Sequence, residues 1–391
     1  MIDKYNDIEC NGCQMCKEIC TQKAISYQTD TYGFWKPHVD YEKCSKCGLC
    51  VKRCPNKNLP INSFNQPIVK AVWSIEDEVR LGSTSGGAFY EFARKILCED
   101  GYVVGCVYDE DFKGAHHVII HSMEELKPLM VSKYVESSME GIYPQIKEAV
   151  LTGKPVLFVG APCQCGGLIS YLNKRYENLI IMDFLCRGAN SPKAHRHYIE
   201  YLEDKYESKM INLRSKDKRN GWEQFGQSAT FANGKEYFAH RSEDLRVVAY
   251  HYGNLMVRES CLDCKFKTLP RYSDLTLGDF WGIKKEEVDD IDKGVSLLFI
   301  NSEKGMELFD SITDRVVFIN KTLEDAKRGN PAIYQSATCS KNREEFLAHL
   351  DDASFDVLVA RYRDYPPKGM KLIYTKVKSK MKSIVKKFGG F

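Results

Sequence analysis

Short apolar runs alternate with segments of helical periodicity through the central part of the chain. The apolar runs predict buried strands at 103–108, 117–121, 155–160, 178–183 and 295–300. Apolar residues recur at helical spacing within 87–97, and a further helix is predicted around 303–312. Strands that alternate with helices in this way indicate an α/β domain.

The first 66 residues follow a different pattern. Two short β-like stretches, at 24–27 and 34–35, lie between two groups of cysteines, and the polar residues from 56 to 66 suit a linker. We therefore predict a small α+β module ahead of the α/β domain. The predicted boundaries are 1–66 for this module, 67–150 and 151–350 for the two parts of the α/β domain, and 368–391 for a basic tail.

Two identical cysteine spacings occur in the N-terminal module. Residues 10–20 and 44–54 both follow C-x2-C-x2-C-x3-C, and Pro55 follows the second run. This is the spacing of bacterial two-cluster ferredoxins, in which the fourth cysteine of each run binds the other 4Fe–4S cluster. The predicted ligand sets are Cys10, Cys13, Cys16 and Cys54 for one cluster, and Cys44, Cys47, Cys50 and Cys20 for the second.

The chain has 16 cysteines among 391 residues, a number that requires an explanation. Residues 1–7 lack the apolar segment of a secretory signal, and no apolar run reaches the roughly 18 residues of a membrane span. We therefore expect a cytoplasmic protein, in which disulfides are rare. Zinc sites typically combine two C-x2-C pairs rather than two runs of four cysteines, so iron–sulfur ligation is the favoured interpretation.

Four further cysteines lie in turn-like settings. Cys163 and Cys186 each follow a predicted strand, and Cys261 and Cys264 form a C-x2-C pair. Because strand ends in an α/β sheet meet at one edge, these four thiols could bind a third 4Fe–4S cluster. Spacing alone leaves zinc binding or simple burial equally open. The remaining cysteines, of which Cys165 is the nearest competitor as a ligand, are interpreted as core residues: Cys98, Cys106, Cys165 and Cys339.

Several motifs around these cysteines resemble one known family. They are Thr84-Ser85-Gly86-Gly87, Ser132-Lys133-Tyr134, Ala161-Pro162-Cys163-Gln164, Cys186, Cys261 with Cys264, and residues 274–282. Together they resemble the beta subunit of coenzyme F420 hydrogenases and dehydrogenases over roughly residues 68–340, with a ferredoxin module fused in front.

The resemblance implies an α/β fold that binds FAD, with FMN as the alternative, beside a 4Fe–4S cluster. Carried over residue by residue, it assigns that cluster to Cys163, Cys186, Cys261 and Cys264. It assigns flavin contacts to Thr84, Ser85, Gly86, Gly87, Lys133 and Tyr134. The Ser-Gly-Gly turn precedes a helix, whose N-terminus offers N–H groups to a phosphate; an ordinary helix cap is the alternative. The expected fold class is thus an α+β ferredoxin-like module followed by an α/β flavin- and iron–sulfur-binding domain.

The function expected from these features is that of a flavin-dependent iron–sulfur oxidoreductase, similar to coenzyme F420 reductases. It would move electrons between a ferredoxin-like redox partner and an organic substrate, which family association places in surface polysaccharide biosynthesis. The alternative is an electron-transfer subunit of a larger redox complex, without a small-molecule substrate of its own. A redox sensor without flavin is a third hypothesis. No catalytic residue can be assigned from the sequence.

Charge is distributed unevenly along the chain. The net charge is +3, but residues 368–391 contain eight lysines and no acidic residue, which leaves about −5 elsewhere. The overall charge therefore says little about nucleic acid, and no nucleic-acid partner is expected. The tail combines an apolar stripe with lysines on its other faces, which predicts peripheral contact with an anionic membrane at the inner face; packing on the body and disorder are the alternatives. A basic stretch at 214–222 is interpreted as a solvated surface loop, with contact to an anionic substrate as the alternative.

Overall fold

A computed structural model describes residues 1–4, 10–57 and 65–364. Most of the linker predicted at 56–66 and the whole of the tail predicted at 368–391 lie outside the described residues. The strands are β1 (Ile25–Thr29), β2 (Trp35–Val39), β3 (Ile68–Ser74), β4 (Tyr102–Tyr108), β5 (Ala115–Ile120), β6 (Val156–Val159), β7 (Leu179–Phe184), β8 (Met210–Asp217), β9 (Gly226–Phe231), β10 (Glu236–His240), β11 (Leu275–Asp279), β12 (Ser296–Ile300) and β13 (Val316–Lys321).

The helices vary from single turns to four turns. They are α1 (Met15–Glu18), α2 (Leu49–Lys52), α3 (Asp77–Gly82), α4 (Ala88–Cys98), α5 (Ile142–Leu151), α6 (Pro162–Leu172), α7 (Pro192–Tyr206), α8 (Leu245–Val247), α9 (Glu303–Asp310), α10 (Leu323–Gly329), α11 (Arg343–Ala348) and α12 (Phe355–Tyr362). The predicted strands at 103–108, 117–121, 155–160, 178–183 and 295–300 are confirmed as β4, β5, β6, β7 and β12, and the predicted helices at 87–97 and 303–312 as α4 and α9.

A mixed sheet of eight strands organises the body, in the order β13-β3-β12-β11-β7-β6-β4-β5. Strands β4, β6, β7 and β11 are parallel neighbours in the sheet, and β3 points the same way because it is antiparallel to β12, which is antiparallel to β11. The carboxyl ends of these five strands therefore lie along one edge, where α/β folds usually build their sites. We refer to this edge as the carboxyl edge.

Helices cover both faces of the sheet, as its side-chain alternation requires. Val103, Leu157 and Ile180 pack with α4 and α9 on one face, whereas their neighbours Val104 and Phe158 pack with α5 and α6 on the other. Strands buried on both faces appear in a sequence as continuous apolar runs, which is the pattern that predicted them.

A second, antiparallel sheet was not predicted. It has the order β10-β9-β8 and packs with α7 and α12 around a separate core that contains Tyr198, Phe231 and Phe355. Polar and apolar residues mix in β8 and β10, so neither strand shows a clean period of two. This sheet matters for the site because β8 carries basic side chains to the carboxyl edge.

The N-terminal module is a β1–β2 hairpin with two one-turn helices. The hairpin is antiparallel and pairs Ile25 with Val39, as the two predicted β-like stretches require. The module joins the core of the body: Met15 is 1% exposed and packs with residues of α5 and α6. Gln14 accepts a hydrogen bond from the Met139 amide at 2.8 Å, which fixes the module further. Mixed α/β architecture with a ferredoxin-type N-terminal region is thus the observed fold.

Candidate iron–sulfur and flavin site

A cavity of about 250 Å³ lies between the N-terminal module and the carboxyl edge. Eight cysteines from five parts of the chain line it. They are Cys10, Cys13, Cys16, Cys54, Cys163, Cys186, Cys261 and Cys264. The structure therefore brings the predicted first ligand set of the N-terminal module next to the predicted third set.

The third set is assembled by adjacent parallel strands and one loop. Cys163 begins α6 directly after β6, and Cys186 follows the neighbouring strand β7. The loop that carries Cys261 approaches the turn after Cys186 so closely that a side chain at Gly188 would contact it. Amides of this turn donate to sulfur, from Gly188 to Cys186 at 3.3 Å and from Ala189 to Cys261 at 3.4 Å. Such bonds stabilise sulfur atoms that carry negative charge.

The second set of the N-terminal module forms a smaller site. Cys20, Cys44, Cys47 and Cys50 line a cavity of about 30 Å³, beyond the first set as seen from the body. The fourth cysteine of each run thus lies with the other run, in the crossed arrangement that the spacing predicts. Ligation of iron by these twelve thiols stays a prediction.

Electrostatic contacts divide the eight thiols of the larger cavity into two groups. Burial raises the pKa of Cys163 well above its usual value, and the charges of Cys186, Cys261 and Cys264 raise it further, with Cys13 contributing last. Burial also raises the pKa of Cys13, and the charge of Cys54 raises that pKa further. Thiolates crowded in this way require positive charge, which the iron atoms of a cluster supply.

The thiols line cavities and do not converge on the position of a single metal ion. Among the described residues, no group of three or more His, Cys, Asp or Glu side chains is placed to hold a single metal ion. A four-cysteine set around a cavity suits a polynuclear cluster, and the donor set, thiolates only, is the one that 4Fe–4S clusters use.

The predicted flavin contacts fall into two groups at the carboxyl edge. Thr84 accepts hydrogen bonds from the Ser132 amide at 3.0 Å and from its hydroxyl at 3.3 Å, so the two motifs meet. The next residue, Lys133, is partly buried, and burial lowers its pKa to about 8. Tyr134 packs its ring against Tyr250, with centroids 4.9 Å apart.

Ser85 and Gly86 make contacts within the protein, and their role as flavin contacts stays a prediction. The Gly86 amide donates to the Ser296 hydroxyl at 3.0 Å, and the Ser85 hydroxyl donates to the Val295 carbonyl at 2.8 Å. A Cβ atom at Gly86 would lie 2.5 Å from the Val72 carbonyl oxygen. Glycine at this position lets the turn pack on β3 and β12. Gly87, with φ of +89°, caps α4 in the left-handed conformation.

The sequence predicts a solvated loop at 214–222, and this prediction is wrong for most of the stretch. Lys216 and Lys218 are 7% and 5% exposed, and Trp222 is 1% exposed. Lys216 pairs with Asp279, which also accepts from the Trp222 indole at 2.9 Å. Trp222 stacks on Trp281, with centroids 4.5 Å apart. The missed signal was the two tryptophans, which pack the basic segment against the end of β11.

Lys218 ties this basic segment to the predicted flavin turn. Its ammonium donates to the carbonyls of Ser85 and Lys293, at 2.7 Å each, and to that of Arg80. Burial, then the charges of Arg214 and other nearby cations, lower the pKa of Lys218 to about 7. Positive charge is therefore in excess beside the turn, and an anionic group bound there would relieve the repulsion.

Two of the four cysteines interpreted as core residues are exposed. Cys165 is fully buried and Cys106 is partly buried, but Cys98 and Cys339 are exposed. The interpretation was wrong for these two because single cysteines near the ends of surface elements carry no pattern that distinguishes them from core positions. None of the four lines either cavity.

A buried ion pair fastens the N-terminal module beside the larger cavity. Arg258 makes a bidentate contact with Glu136, at 2.7 and 2.9 Å, and both side chains are almost completely buried. Arg258 also donates to the carbonyls of Cys10 at 2.9 Å and Trp35 at 2.8 Å. Burial alone would lower the pKa of Arg258, but the charges of Glu136, Cys10 and Cys261 together with the Glu136 hydrogen bond outweigh burial and raise that pKa.

Two family models match the chain. Residues 153–326 match the C-terminal part of the beta subunit of coenzyme F420 hydrogenase/dehydrogenase. Residues 9–58 match the 4Fe–4S dicluster domain. The N-terminal module is thus similar to a 4Fe–4S dicluster domain, and the predicted resemblance to the beta-subunit family is confirmed over residues 153–326.

Curated relatives share shorter stretches with the chain. The ferredoxin-type protein NapF of Haemophilus influenzae is 32% identical over 54 residues, which are 14% of this chain and 31% of that protein. Trichloroethene reductive dehalogenase of Dehalococcoides mccartyi is 32% identical over 71 residues, or 16% of this chain and 13% of that protein. The chain therefore spans less than a third of either relative.

Among solved structures, a chain of the F420-reducing [NiFe] hydrogenase complex from Methanosarcina barkeri aligns with a TM-score of 0.47 and 16% identity. The alignment covers 77% of this chain and 95% of that chain.

Proposed function

We propose that this chain, whose residues 153–326 belong to the coenzyme F420 hydrogenase/dehydrogenase beta-subunit family, is an iron–sulfur flavoprotein oxidoreductase. It would carry three 4Fe–4S clusters and FAD, and exchange electrons between a ferredoxin-type partner and an organic substrate. The observation that carries the proposal is the cavity in which four thiols of the N-terminal module face four thiols of the body. Electrons from a partner could then reach the carboxyl edge through one chain.

The three cysteine sets supply a continuous route. The second set of the N-terminal module lies outermost, and its Cys47 is exposed. A redox partner would therefore approach this set first. The charge of Cys50 acts on Cys16 of the next set, and that of Cys13 acts on Cys163 of the third. Each set is thus the electrostatic neighbour of the next along the route from the module to the sheet.

The flavin proposal rests on the groups around Thr84, Lys133 and Tyr134. A bound flavin would supply hydride transfer to the substrate and single-electron transfer to the clusters. Lys133 and the excess positive charge beside Lys218 would stabilise its phosphates, and the Tyr134–Tyr250 ring pair offers an aromatic surface. The chemistry of these side chains fits an anionic, aromatic cofactor, with FMN as the alternative to FAD.

Replacing Lys133 with methionine is expected to weaken FAD binding by about 10- to 150-fold, because a charge-assisted contact contributes on the order of 1.5–3 kcal/mol. The matched control is Lys127→Met, an exposed lysine six residues earlier, which should leave the affinity unchanged. Anaerobic reconstitution of the apoprotein, followed by fluorescence titration with FAD, measures both. Protein that holds no flavin after anaerobic purification and binds none on reconstitution would refute the flavin proposal.

The substrate is proposed by class only. A deazaflavin such as coenzyme F420, a nicotinamide, or a sugar-related intermediate of surface polysaccharide synthesis would each accept or donate a hydride. Anaerobic turnover with each compound distinguishes an enzyme from the second candidate, an electron-transfer subunit of a larger complex. A chain that reduces its flavin from a ferredoxin-type donor but turns over no small substrate would be such a subunit.

Membrane contact remains a proposal for the basic tail. None of the described helices is long and apolar enough to cross a membrane. The eight lysines of 368–391 would bind an anionic surface reversibly, at about 1 kcal/mol each near the surface. Co-sedimentation with anionic vesicles, with and without residues 368–391, tests this: equal pelleting of both forms would reject it.

A further inference from the structure

Lys267 lies in the wall of the larger cavity, three residues after Cys264. Its ammonium donates to the carbonyl of Cys186 and, at 3.0 Å, to the carbonyl of Ala332. Lys267, which follows the C-x2-C pair, is therefore tied to the backbone of Cys186 just after β7. The contact fixes both the backbone of Cys186 and a positive charge beside the third cysteine set.

Two buried arginines near this set have acidic partners. Arg271 pairs with Asp183 at 2.9 Å, and Arg258 pairs with Glu136 at 2.7 Å. Both acceptors of Lys267, in contrast, are uncharged carbonyl oxygens, so they do not cancel its charge. An exposed pair, Lys265 with Asp263, also lines the cavity, but water screens its charges.

The position of this charge has a consequence for reduction. Adding an electron to a thiolate-bound cluster increases its negative charge, and a nearby cation in a partly buried site stabilises the reduced form. Lys57, which lines the cavity near the first cysteine set, is exposed, so its charge is screened more than that of Lys267. The two sites thus differ in how strongly a lysine stabilises an added electron.

We infer that Lys267 sets the reduction potential of the third cluster above that of the neighbouring cluster on Cys10, Cys13, Cys16 and Cys54. This inference rests on the proposed function, and it gives that function a direction. One electron from a reduced ferredoxin-type donor passes from the neighbouring cluster, which is oxidised, to the third cluster, which is reduced; no bond or proton changes. Electrons are therefore drawn from the N-terminal module towards the carboxyl edge.

The test is a redox titration of the intact, anaerobically purified chain, followed by electron paramagnetic resonance. The signal of the third cluster is identified by its loss in the Cys261→Ser, Cys264→Ser variant. We expect that signal to appear at a higher potential than the signal of the neighbouring cluster. The opposite order in the unaltered chain would overturn the inference, whatever the variants show. An iron content of about eight atoms would instead show that the third cluster itself is absent, which is a failure of the proposed function.

Three lysine variants separate charge from position. Lys267→Met should shift only the third signal to lower potential, whereas Lys267→Arg, which keeps the charge, should shift it far less. Lys265→Met, the exposed control in the same cavity wall, should leave it unchanged. An unshifted potential in a Lys267→Met protein with full iron content would overturn the inference. If the Lys267→Met protein loses the third cluster, the inference is judged by the order of the two reduction potentials in the unaltered chain.

Discussion

Replacing both Cys261 and Cys264 with serine is expected to lower the iron content from about twelve to about eight atoms per chain. The two thiols come from one loop and supply half of the third set, so their loss leaves only Cys163 and Cys186 at the ends of β6 and β7. Two thiolates do not hold a 4Fe–4S cluster. The two N-terminal sets are built from other residues, so their iron should remain.

The same variant should block reduction of the flavin by a ferredoxin-type donor while leaving reduction of the N-terminal clusters intact. The matched control replaces Cys98 and Cys339, which are exposed and lie outside both cavities, and should keep about twelve iron atoms. Iron, sulfide and flavin are counted in anaerobically purified protein. Eight iron atoms or fewer in the unaltered chain would contradict a third cluster, and zinc in stoichiometric amount would make the C-x2-C pair a structural zinc site.

Local sequence patterns were sufficient to predict those parts of the structure that a single short motif determines. The two four-cysteine runs predicted their crossed arrangement, because a short loop with this spacing can place three thiols around one cluster. Continuous apolar runs predicted β6 and β7, and adjacency of these strands then brought Cys163 and Cys186 to one edge. The 4Fe–4S dicluster part of the site was thus predictable from the chain alone.

Long-range packing determined what the sequence could not show. The packing of Gly86 depends on Val72 in β3 and Ser296 in β12, so the local sequence could not show that this turn lies against the sheet. The sequence alone does not show that Lys216 and Lys218 are buried, because their burial depends on Asp279 and on the carbonyls of Arg80, Ser85 and Lys293. A buried lysine has the same local sequence pattern as an exposed one; only its partners distinguish them.

Breaking the buried ion pair of Arg258 and Glu136 is expected to have the other large effect, a loss of stability. Arg258→Met should lower the free energy of unfolding by about 3–5 kcal/mol, because it leaves the Glu136 carboxylate buried without its partner. It also removes the bonds to the Cys10 and Trp35 carbonyls that hold the N-terminal module on the body. Denaturant titration of the anaerobic protein measures the loss, and limited proteolysis shows whether the N-terminal module is released first.

A double variant and an exposed pair make this prediction specific. Arg258→Met with Glu136→Leu removes both charges, and since a buried pair can be replaced by apolar residues at little net cost, it should be more stable than Arg258→Met alone. Lys17→Met breaks an exposed ion pair with Glu140, which also joins the module to the body, and should cost less than about 1 kcal/mol. A double variant no more stable than the single one would show that the bonds to the Cys10 and Trp35 carbonyls, and not the ion pair, hold the module. Either result identifies what keeps the first cysteine set facing the third, the arrangement on which the proposed electron transfer depends.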